Sequence, residues 1–189
     1  MINGINSREM ILEILLEIEE GEHSHVAIRN ALSKYQFLPK QDRAFITRVC
    51  EGTLEYRIQI DYIINSFSKV TVDKMKPAIR EILRSAVYQL KYMDSVPDSA
   101  VCNEAVKLAQ RKGFYNLKPF VNGVLRTIAR EMDQVRFPQK EDDLLKYLSV
   151  KYSMPEVLVT RWLEAYGEET TEKILADFLM EHPLTIRCR

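Results

Sequence analysis

Apolar residues recur with the period of an α-helix along most of this chain, and that pattern limits the possible folds more than any other feature. The clearest stripe consists of Ile79, Ile82, Leu83, Ala86, Val87 and Leu90. Similar stripes predict helices over about residues 7–20, from Ser24 onward, and over about residues 116–132. Only 6 Gly and 7 Pro occur among 189 residues, which disfavours a β-sandwich or barrel with many tight turns. We therefore predict an all-α fold.

Capping and turn residues predict where several of these helices begin and end. Asn6 should cap the first helix and Gly21 should terminate it. Gly52 interrupts a helical pattern over about residues 39–67, so this stretch forms either one kinked helix or two. Asp73 is expected to cap the next helix, and Gly123 is expected to let a neighbouring helix approach closely.

The inward positions of these stripes predict a shared hydrophobic core. Its expected members are Ile14, Leu15, Phe45, Val49, Leu83, Val87, Leu90, Val106, Val121, Leu125 and Ile128.

The dipeptide Phe137-Pro138 is the predicted domain boundary. Residues 1–137 should form one helical domain, and residues 138–183 a helical linker segment with a short helix followed by two more. Residues 184–189 alternate apolar and polar, which is the period of a β-strand. We expect them to be the first strand of a truncated next domain.

Composition and motifs exclude several classes of function. Lys+Arg and Asp+Glu each total 27, and a net charge of zero argues against a globally basic nucleic-acid coat protein. The sequence contains no run of about 18 apolar residues that could span a membrane, and its N-terminus does not resemble a signal peptide. We therefore expect a cytoplasmic protein. The chain lacks a glycine-rich phosphate loop, a Gly-x-Ser-x-Gly motif and a distinct carboxylate pair, so no catalytic site is predicted within it.

The three cysteines and three histidines show no metal or redox motif. Cys50 and Cys102 lie in apolar helical patterns, which predicts buried and unreactive thiols. His23 and His25 are two residues apart, whereas a metal pair on a helix needs residues one turn apart. No metal ligand is predicted.

A segment from Ala105 to Arg130 contains no acidic residue. Its bases are Lys107, Arg111, Lys112, Lys118, Arg126 and Arg130. Because apolar residues occupy the inward positions, these bases should project outward from two adjacent helices. Such a cluster suits phosphate contacts with a nucleic acid, and a solvated helical face is the alternative. Phe114 and Tyr115 lie between the two helices, where an exposed ring could stack on an RNA base.

Five short motifs resemble the NusB-type RNA-binding domain. In chain order they are Asp42-Arg-Ala-Phe45, Gly52 with Tyr56-Arg57, Ile82-Leu-Arg84 with Tyr88-Gln-Leu90, Ala100-Val-Cys-Asn-Glu-Ala-Val106, and Phe120-Val-Asn-Gly-Val-Leu-Arg126. The resemblance covers about residues 7–131, and the last two motifs are its most specific part. It implies a NusB-like helical bundle.

Within that superfamily the chain is most similar to the N-terminal region of the RsmB (Sun/Fmu) family of ribosomal RNA cytosine-C5 methyltransferases. The last helix has that form, with Val124-Leu-Arg126 before Ile128-Ala-Arg130, and the chain continues well past it. Tyr152-Ser-Met-Pro155 resembles the family's linker segment, and Pro183-Leu-Thr-Ile-Arg187 resembles the strand that opens its catalytic part.

This resemblance implies an RNA-binding domain that positions small-subunit ribosomal RNA for a catalytic methyltransferase domain in cis. S-adenosylmethionine would be the cofactor of the parent enzyme, and no cofactor is expected in this fragment. The family's catalytic cysteines belong to the catalytic domain, so Cys50, Cys102 and Cys188 should not inherit their role. We expect residues 1–189 to lack enzymatic activity of their own.

The acid-free segment and the resemblance together select the candidate RNA contacts. They are Arg111, Lys112, Lys118, Arg126 and Arg130, with Arg8 and Arg43 as outlying candidates. The NusB factor has an arginine-rich N-terminal arm that contacts RNA, but here only Arg8 stands at that place. The alternative is a NusB-type antitermination or protein-interaction module that docks a ribosomal protein. An exposed apolar patch would favour that module, and a continuous positive face would favour RNA binding.

Overall fold

The computed structural model describes residues 6–180, and these residues confirm the all-α prediction. Their nine α-helices are α1 (Ser7–Glu19), α2 (Ser24–Lys34), α3 (Lys40–Glu55), α4 (Arg57–Phe67), α5 (Pro77–Tyr92), α6 (Asp98–Arg111), α7 (Lys118–Glu131), α8 (Leu144–Lys151) and α9 (Glu156–Phe178). Short 3₁₀ helices span Val72–Lys74, Tyr115–Leu117 and Met132–Gln134. Among residues 6–180 no helix has both the length and the apolar character needed to span a membrane.

The helices group into two compact units that divide between Val135 and Arg136. The first unit contains α1–α7 and the second contains α8 and α9. The division lies two residues before Phe137, where the sequence placed its boundary. The strand predicted over residues 184–189 lies outside the described residues.

Helix α5 is the central element of the first unit, because α1, α3, α4, α6 and α7 all pack against it. Pro77 occupies its first turn, where the missing N–H would have no helical partner anyway. Leu83 and Val87 are completely buried, and polar residues between them are buried as well. A helix surrounded by others on nearly every side is expected to be buried all round.

Two of the predicted helix boundaries are confirmed. The side chain of Asn6 accepts a hydrogen bond of 2.9 Å from the backbone N–H of Arg8, which caps the start of α1. Gly21 follows the end of the same helix with a φ of +113°, a conformation that glycine adopts without steric cost.

Three details of the helix prediction are wrong. The stretch over about residues 39–67 does form two helices, one of the two predicted alternatives, but the break falls at Tyr56, and Gly52 lies inside a continuous α3. Asp73 belongs to a 3₁₀ helix and does not cap α5, which begins at Pro77 after the extended Lys76. Gly123 lies exposed on α7 with open space around its α-carbon, so no helix approaches it closely.

The predicted core is confirmed at most of its positions. Buried side chains are Ile14, Leu15, Val49, Leu83, Val87, Val121, Leu125 and Ile128, whereas Phe45, Leu90 and Val106 are half-buried. Cys50 and Cys102 are buried free thiols, as expected, and Cys188 lies outside the described residues. Burial, as its main cause, raises the pKa of both thiols, which keeps them in the unreactive protonated form.

An ion-pair cluster joins α4 to α5 within the first unit. The guanidinium of Arg84 donates to both carboxylate oxygens of Asp61 at 2.7 and 2.6 Å, and to Glu81 at 2.6 Å. Burial raises the pKa of Glu81, and the charge of Arg84 opposes that effect. Because Glu81 and Arg84 are both buried, removing either partner alone would leave an uncompensated charge in the interior.

The second unit has its own small core of Leu148, Val159 and Leu175. Gly167 has a φ of +73° and a ψ of 175°, which splits α9 into two helical segments, as the sequence predicted. The Trp162 and Phe178 rings from those two segments stack at 5.7 Å between centroids. This unit is therefore a short helical arrangement with its own packing.

Candidate nucleic-acid interface

Helices α6 and α7 pack against each other and carry the bases of the acid-free segment. Their inward positions are apolar, with Ala105 and Leu108 buried on α6 and Val121 and Leu125 buried on α7. Four of the six bases project outward as predicted, whereas Lys112 and Lys118 are half-buried. The side chains of Lys107, Arg111 and Arg130 are 61%, 48% and 71% exposed, and Arg126 is also exposed.

Arg126 connects the two helices through contacts with uncharged side chains. Its Nε donates a 2.9 Å hydrogen bond to the Asn122 side chain on α7, and one terminal nitrogen contacts the Asn103 side chain on α6 at 3.4 Å. Both partners are neutral amides. The guanidinium is therefore oriented while its positive charge stays available to a phosphate.

Arg111 and Lys112, at the end of α6, face two carboxylates of α1. Nζ of Lys112 lies 3.0 Å from Glu13 and 3.4 Å from Glu9, and Arg111 lies 4.0 Å from Glu9. Partial burial alone would lower the pKa of Lys112, but the hydrogen bonds and charges of Glu13 and Glu9 raise it above its ordinary value. These two bases are thus partly neutralised within the protein.

The other neutralising carboxylates flank the acid-free segment in sequence. Lys107 pairs with Glu104 at 2.8 Å, and Arg130 pairs with Glu131 at 2.7 Å. Within residues 6–180 no carboxylate pairs with Lys118 or Arg126. The uncompensated positive charge of this region is therefore concentrated on α7.

The connection between α6 and α7 presents an aromatic ring to solvent. Tyr115 is 60% exposed, so at least one of the two loop aromatics is accessible. Phe114 is half-buried, and Nζ of Lys76 lies 5.4 Å from the centroid of its ring. Lys118, three residues after Tyr115 in the sequence, is the half-buried first residue of α7. An exposed ring beside a cation can bind a base by stacking and its phosphate by charge.

Of the two outlying candidates, Arg8 lies on α1 beside α6, and Arg43 lies on α3. Arg8 is half-buried, its guanidinium lies 5.3 Å from the Phe45 ring centroid, and it lines a small cavity with Ser85 and Gln89. Burial is the main reason that the pKa of Arg8 is lowered, and nearby Glu104 opposes this. Arg43 is half-buried on α3. The structure therefore groups five of the seven candidates on α6 and α7.

Sequence reasoning missed the residues that modulate these bases. Glu9 and Glu13 come from α1, and their contact with α6 depends on tertiary packing. Asn103 and Asn122, the partners of Arg126, carry no charge and so left no signal in a count of charged residues. Within the described part of the chain no cluster of His, Cys, Asp and Glu could hold a metal ion.

The chain matches known proteins over two different lengths. The NusB family model matches residues 5–130. The Bacillus subtilis (strain 168) protein named "Probable ribosomal RNA small subunit methyltransferase B" is 34% identical over 180 residues, covering 95% of this chain and 40% of that protein. The transcription antitermination protein NusB of the same organism is 32% identical over 130 residues, covering 68% of this chain and 95% of that protein. The chain thus spans about 40% of the length of the methyltransferase relative.

Solved structures show the same fold. The crystal structure of PH0851 superposes with a TM-score of 0.73 over 95% of this chain and 40% of that chain, at 21% identity. NusB in a crystal structure with NusE and double-stranded RNA gives a TM-score of 0.60 over 66% of this chain and 93% of that chain, also at 21% identity. Identities this low establish the fold alone. Because the family model covers residues 5–130 and the NusB relative aligns over 95% of its length, this chain belongs to the NusB family.

Proposed function

We propose that this chain is the RNA-binding region of an S-adenosylmethionine-dependent ribosomal RNA cytosine-C5 methyltransferase that acts on the small ribosomal subunit. The observation that carries the proposal is the length of the two matches. The methyltransferase relative aligns with 95% of this chain, whereas the B. subtilis NusB protein aligns with 68%. The similarity to the methyltransferase relative extends beyond the residues that align with NusB. This favours a part of such an enzyme over a free-standing antitermination factor.

In this proposal, the region positions ribosomal RNA for a catalytic domain in cis. Its binding element is the α6–α7 basic surface, defined as Arg111, Lys112, Lys118, Arg126 and Arg130. Phosphate contacts hold an RNA in register without reading its sequence, so this surface would supply affinity and orientation. The exposed ring of Tyr115, three residues before Lys118 in the sequence, would add a stacking position for an unpaired base.

The methyl-transfer chemistry is assigned to the catalytic domain of the parent enzyme. Nucleotide-type cofactors usually bind at the carboxyl edge of a parallel sheet, in a crevice between strands and helices. Residues 6–180 form helices and contain no sheet, so they do not fit S-adenosylmethionine. In this proposal, residues 6–180 therefore take no part in the methyl-transfer step.

RNA binding by the purified chain tests the proposal. Wild-type protein should bind a fluorescent fragment of small-subunit ribosomal RNA at low salt, and replacing all five residues of the α6–α7 basic surface by Ala should abolish binding. A matched control removes five exposed bases elsewhere, namely Arg29, Lys34, Lys40, Arg57 and Lys69. The control has the same change in net charge and should retain most of the affinity.

The contrary outcome favours the protein-interaction alternative. If the basic-surface variant binds RNA as tightly as the wild type, the bases form a solvated face and RNA binding does not depend on them. The chain would then resemble the NusB molecule that was crystallised with the protein NusE, and docking of a ribosomal protein would become the preferred function.

A further inference from the structure

We propose that Glu9 and Glu13 of α1 set the RNA affinity and selectivity of the α6–α7 basic surface. They would act as internal anions that hold Arg111 and Lys112 until RNA phosphates replace them. This inference rests on the proposed RNA-binding function and assigns a role to two residues outside the basic segment.

The geometry places both carboxylates against the end of α6. Glu9 and Glu13 are one helical turn apart, so they lie on the same face of α1. Nζ of Lys112 is within 3.4 Å of both, and Arg111 is at 4.0 Å from Glu9. Two anions thus face two cations that the sequence alone would count as free.

These pairs are accessible enough to be exchanged. In the Lys112–Glu13 pair the side chains are 28% and 54% exposed, and in the Arg111–Glu9 pair they are 48% and 35% exposed. Ion pairs that are partly open to solvent in this way contribute little to stability. The buried Arg84 cluster differs, because a partner removed there leaves an uncompensated interior charge. A phosphate group can therefore take the place of Glu9 or Glu13 at small cost to the fold.

The exchange favours ligands that carry several phosphates. Arg126 and Lys118 have no carboxylate partner within residues 6–180, so they can engage a phosphate without displacing anything. A strand held there brings further phosphates at high local concentration to compete with the carboxylates. A single small anion has no such advantage, so the carboxylates would select for a nucleic-acid strand over free phosphate.

Charge-neutralising variants test the inference on the intact chain. Glu9→Gln and Glu13→Gln should each tighten binding of the same ribosomal RNA fragment by about two- to fivefold, because the competing anion is gone. Glu20→Gln is the matched control, measured at about 0.1 M salt, since Glu20 is exposed at the end of α1, about 10 Å along the helix from Glu13, which is about one Debye length at that ionic strength. Its affinity should stay close to that of the wild type.

A variant without the two paired bases tests whether the carboxylates act through Arg111 and Lys112 or through a general change in charge. In a chain carrying Arg111→Ala and Lys112→Ala, the Glu9→Gln and Glu13→Gln changes should no longer tighten binding. Inorganic phosphate, added as competitor, should inhibit RNA binding by the Glu9→Gln, Glu13→Gln double variant more strongly than that of the wild type.

Two failures are distinguishable. If the wild-type chain does not bind the RNA, the proposed function is overturned, and this inference with it. If the wild type binds and Glu13→Gln behaves like Glu20→Gln, RNA binding stands and the role of the α1 carboxylates is overturned. That role is also overturned if the tightening persists without Arg111 and Lys112.

Discussion

The phenol ring of Tyr88 on α5 lies directly against the α-carbon of Gly52 on α3, where a side chain of any other residue would overlap it. Both residues are buried. Tyr88 also packs near Tyr92, whose ring stacks on Tyr56 at 4.3 Å between centroids. The glycine thus permits close contact between two helices, and it does so without a left-handed or kinked backbone.

Replacing Gly52 by Ala should destabilise the first unit. The added methyl group would occupy the volume of the Tyr88 ring, and overpacking of this kind costs about 1–3 kcal/mol, even though Ala favours helix formation. Chemical denaturation followed by helical circular dichroism measures the loss. Gly123→Ala is the control, since Gly123 is helical, exposed and surrounded by open space, so that change should be neutral or stabilising.

A second substitution tests whether the Tyr88 ring causes the cost of Gly52→Ala. If Tyr88 causes the cost, Tyr88→Ala should destabilise the Gly52→Ala protein less than it destabilises the wild type. Equal losses in the two backgrounds would show that Tyr88 does not cause the cost, and full stability of Gly52→Ala would show that α3 and α5 can separate without cost at this position.

Leu83→Ala should lower the stability of the same unit by about 2–5 kcal/mol. Leu83 is completely buried at the centre of α5, so the truncation leaves a cavity lined by the surrounding helices. The free energy of unfolding from a denaturant titration gives the value. Val70→Ala, at a side chain that is 40% exposed, should change it far less, and similar losses at both positions would contradict the central role of α5.

Acid should weaken the second unit through Glu172. Hydrogen bonds from Lys151, Lys140 and Tyr152, with that of Lys151 foremost, lower the pKa of Glu172 from 4.5 to about 2. A carboxyl group whose pKa is lower in the folded state contributes stability above its unfolded pKa and loses it as the pH falls towards the folded value. We therefore expect the loss between about pH 4.5 and pH 2.

The single tryptophan makes this measurable, because Trp162 packs against the core of the second unit. Denaturant unfolding followed by its fluorescence should show that Glu172→Gln is less stable at neutral pH by about 1 kcal/mol or less, because solvent-screened ion pairs contribute about 0.2–1 kcal/mol each. Its stability should also fall less on acidification than that of the wild type. Glu164→Gln, an exposed change on the same helix, should leave the wild-type acid dependence intact.

S-adenosylmethionine should not bind to residues 1–189. The described residues contain no strand, and the usual crevice for a nucleotide-type cofactor needs a parallel sheet. Calorimetric titration should give no saturable heat with the cofactor, while the ribosomal RNA fragment gives heat under the same conditions. One-to-one binding of the cofactor would overturn the assignment of the chemistry to another domain.

The parts of the fold that were predictable depend on short-range sequence patterns. The stripe around Leu83 and the cap at Asn6 are properties of a few neighbouring residues, so period and capping chemistry suffice to identify them. The reason for Gly52 could not be inferred, because it depends on Tyr88 of a different helix. The start of α5 was predicted wrongly because two start signals, Asp73 and Pro77, lie close together in the sequence. The helix begins at Pro77.

The candidate site shows the same limit. The outward direction of Arg126 follows from the apolar stripe of α7, so it was predictable. The partial neutralisation of Lys112 was not, because Glu9 and Glu13 are far away in sequence and meet it only when α1 packs near the end of α6. A stretch without acids is therefore a weaker sign of free positive charge than it looks in the sequence.

Within the α6–α7 basic surface, the unpaired cations should contribute most to RNA affinity. Arg126→Ala and Lys118→Ala remove charges that no carboxylate balances among the described residues, whereas Arg130 already pairs with Glu131. Each of the first two changes should weaken binding similarly for RNAs of different sequence, and lower the slope of log affinity against log salt by about one or less. Arg130→Ala should have a smaller effect, and Arg57→Ala, at an exposed base on α4, should have almost none. Fluorescence anisotropy titrations at several salt concentrations measure both quantities. A loss confined to one RNA sequence would indicate that Arg126 or Lys118 reads a base, and an unchanged salt slope would show that neither contacts a phosphate.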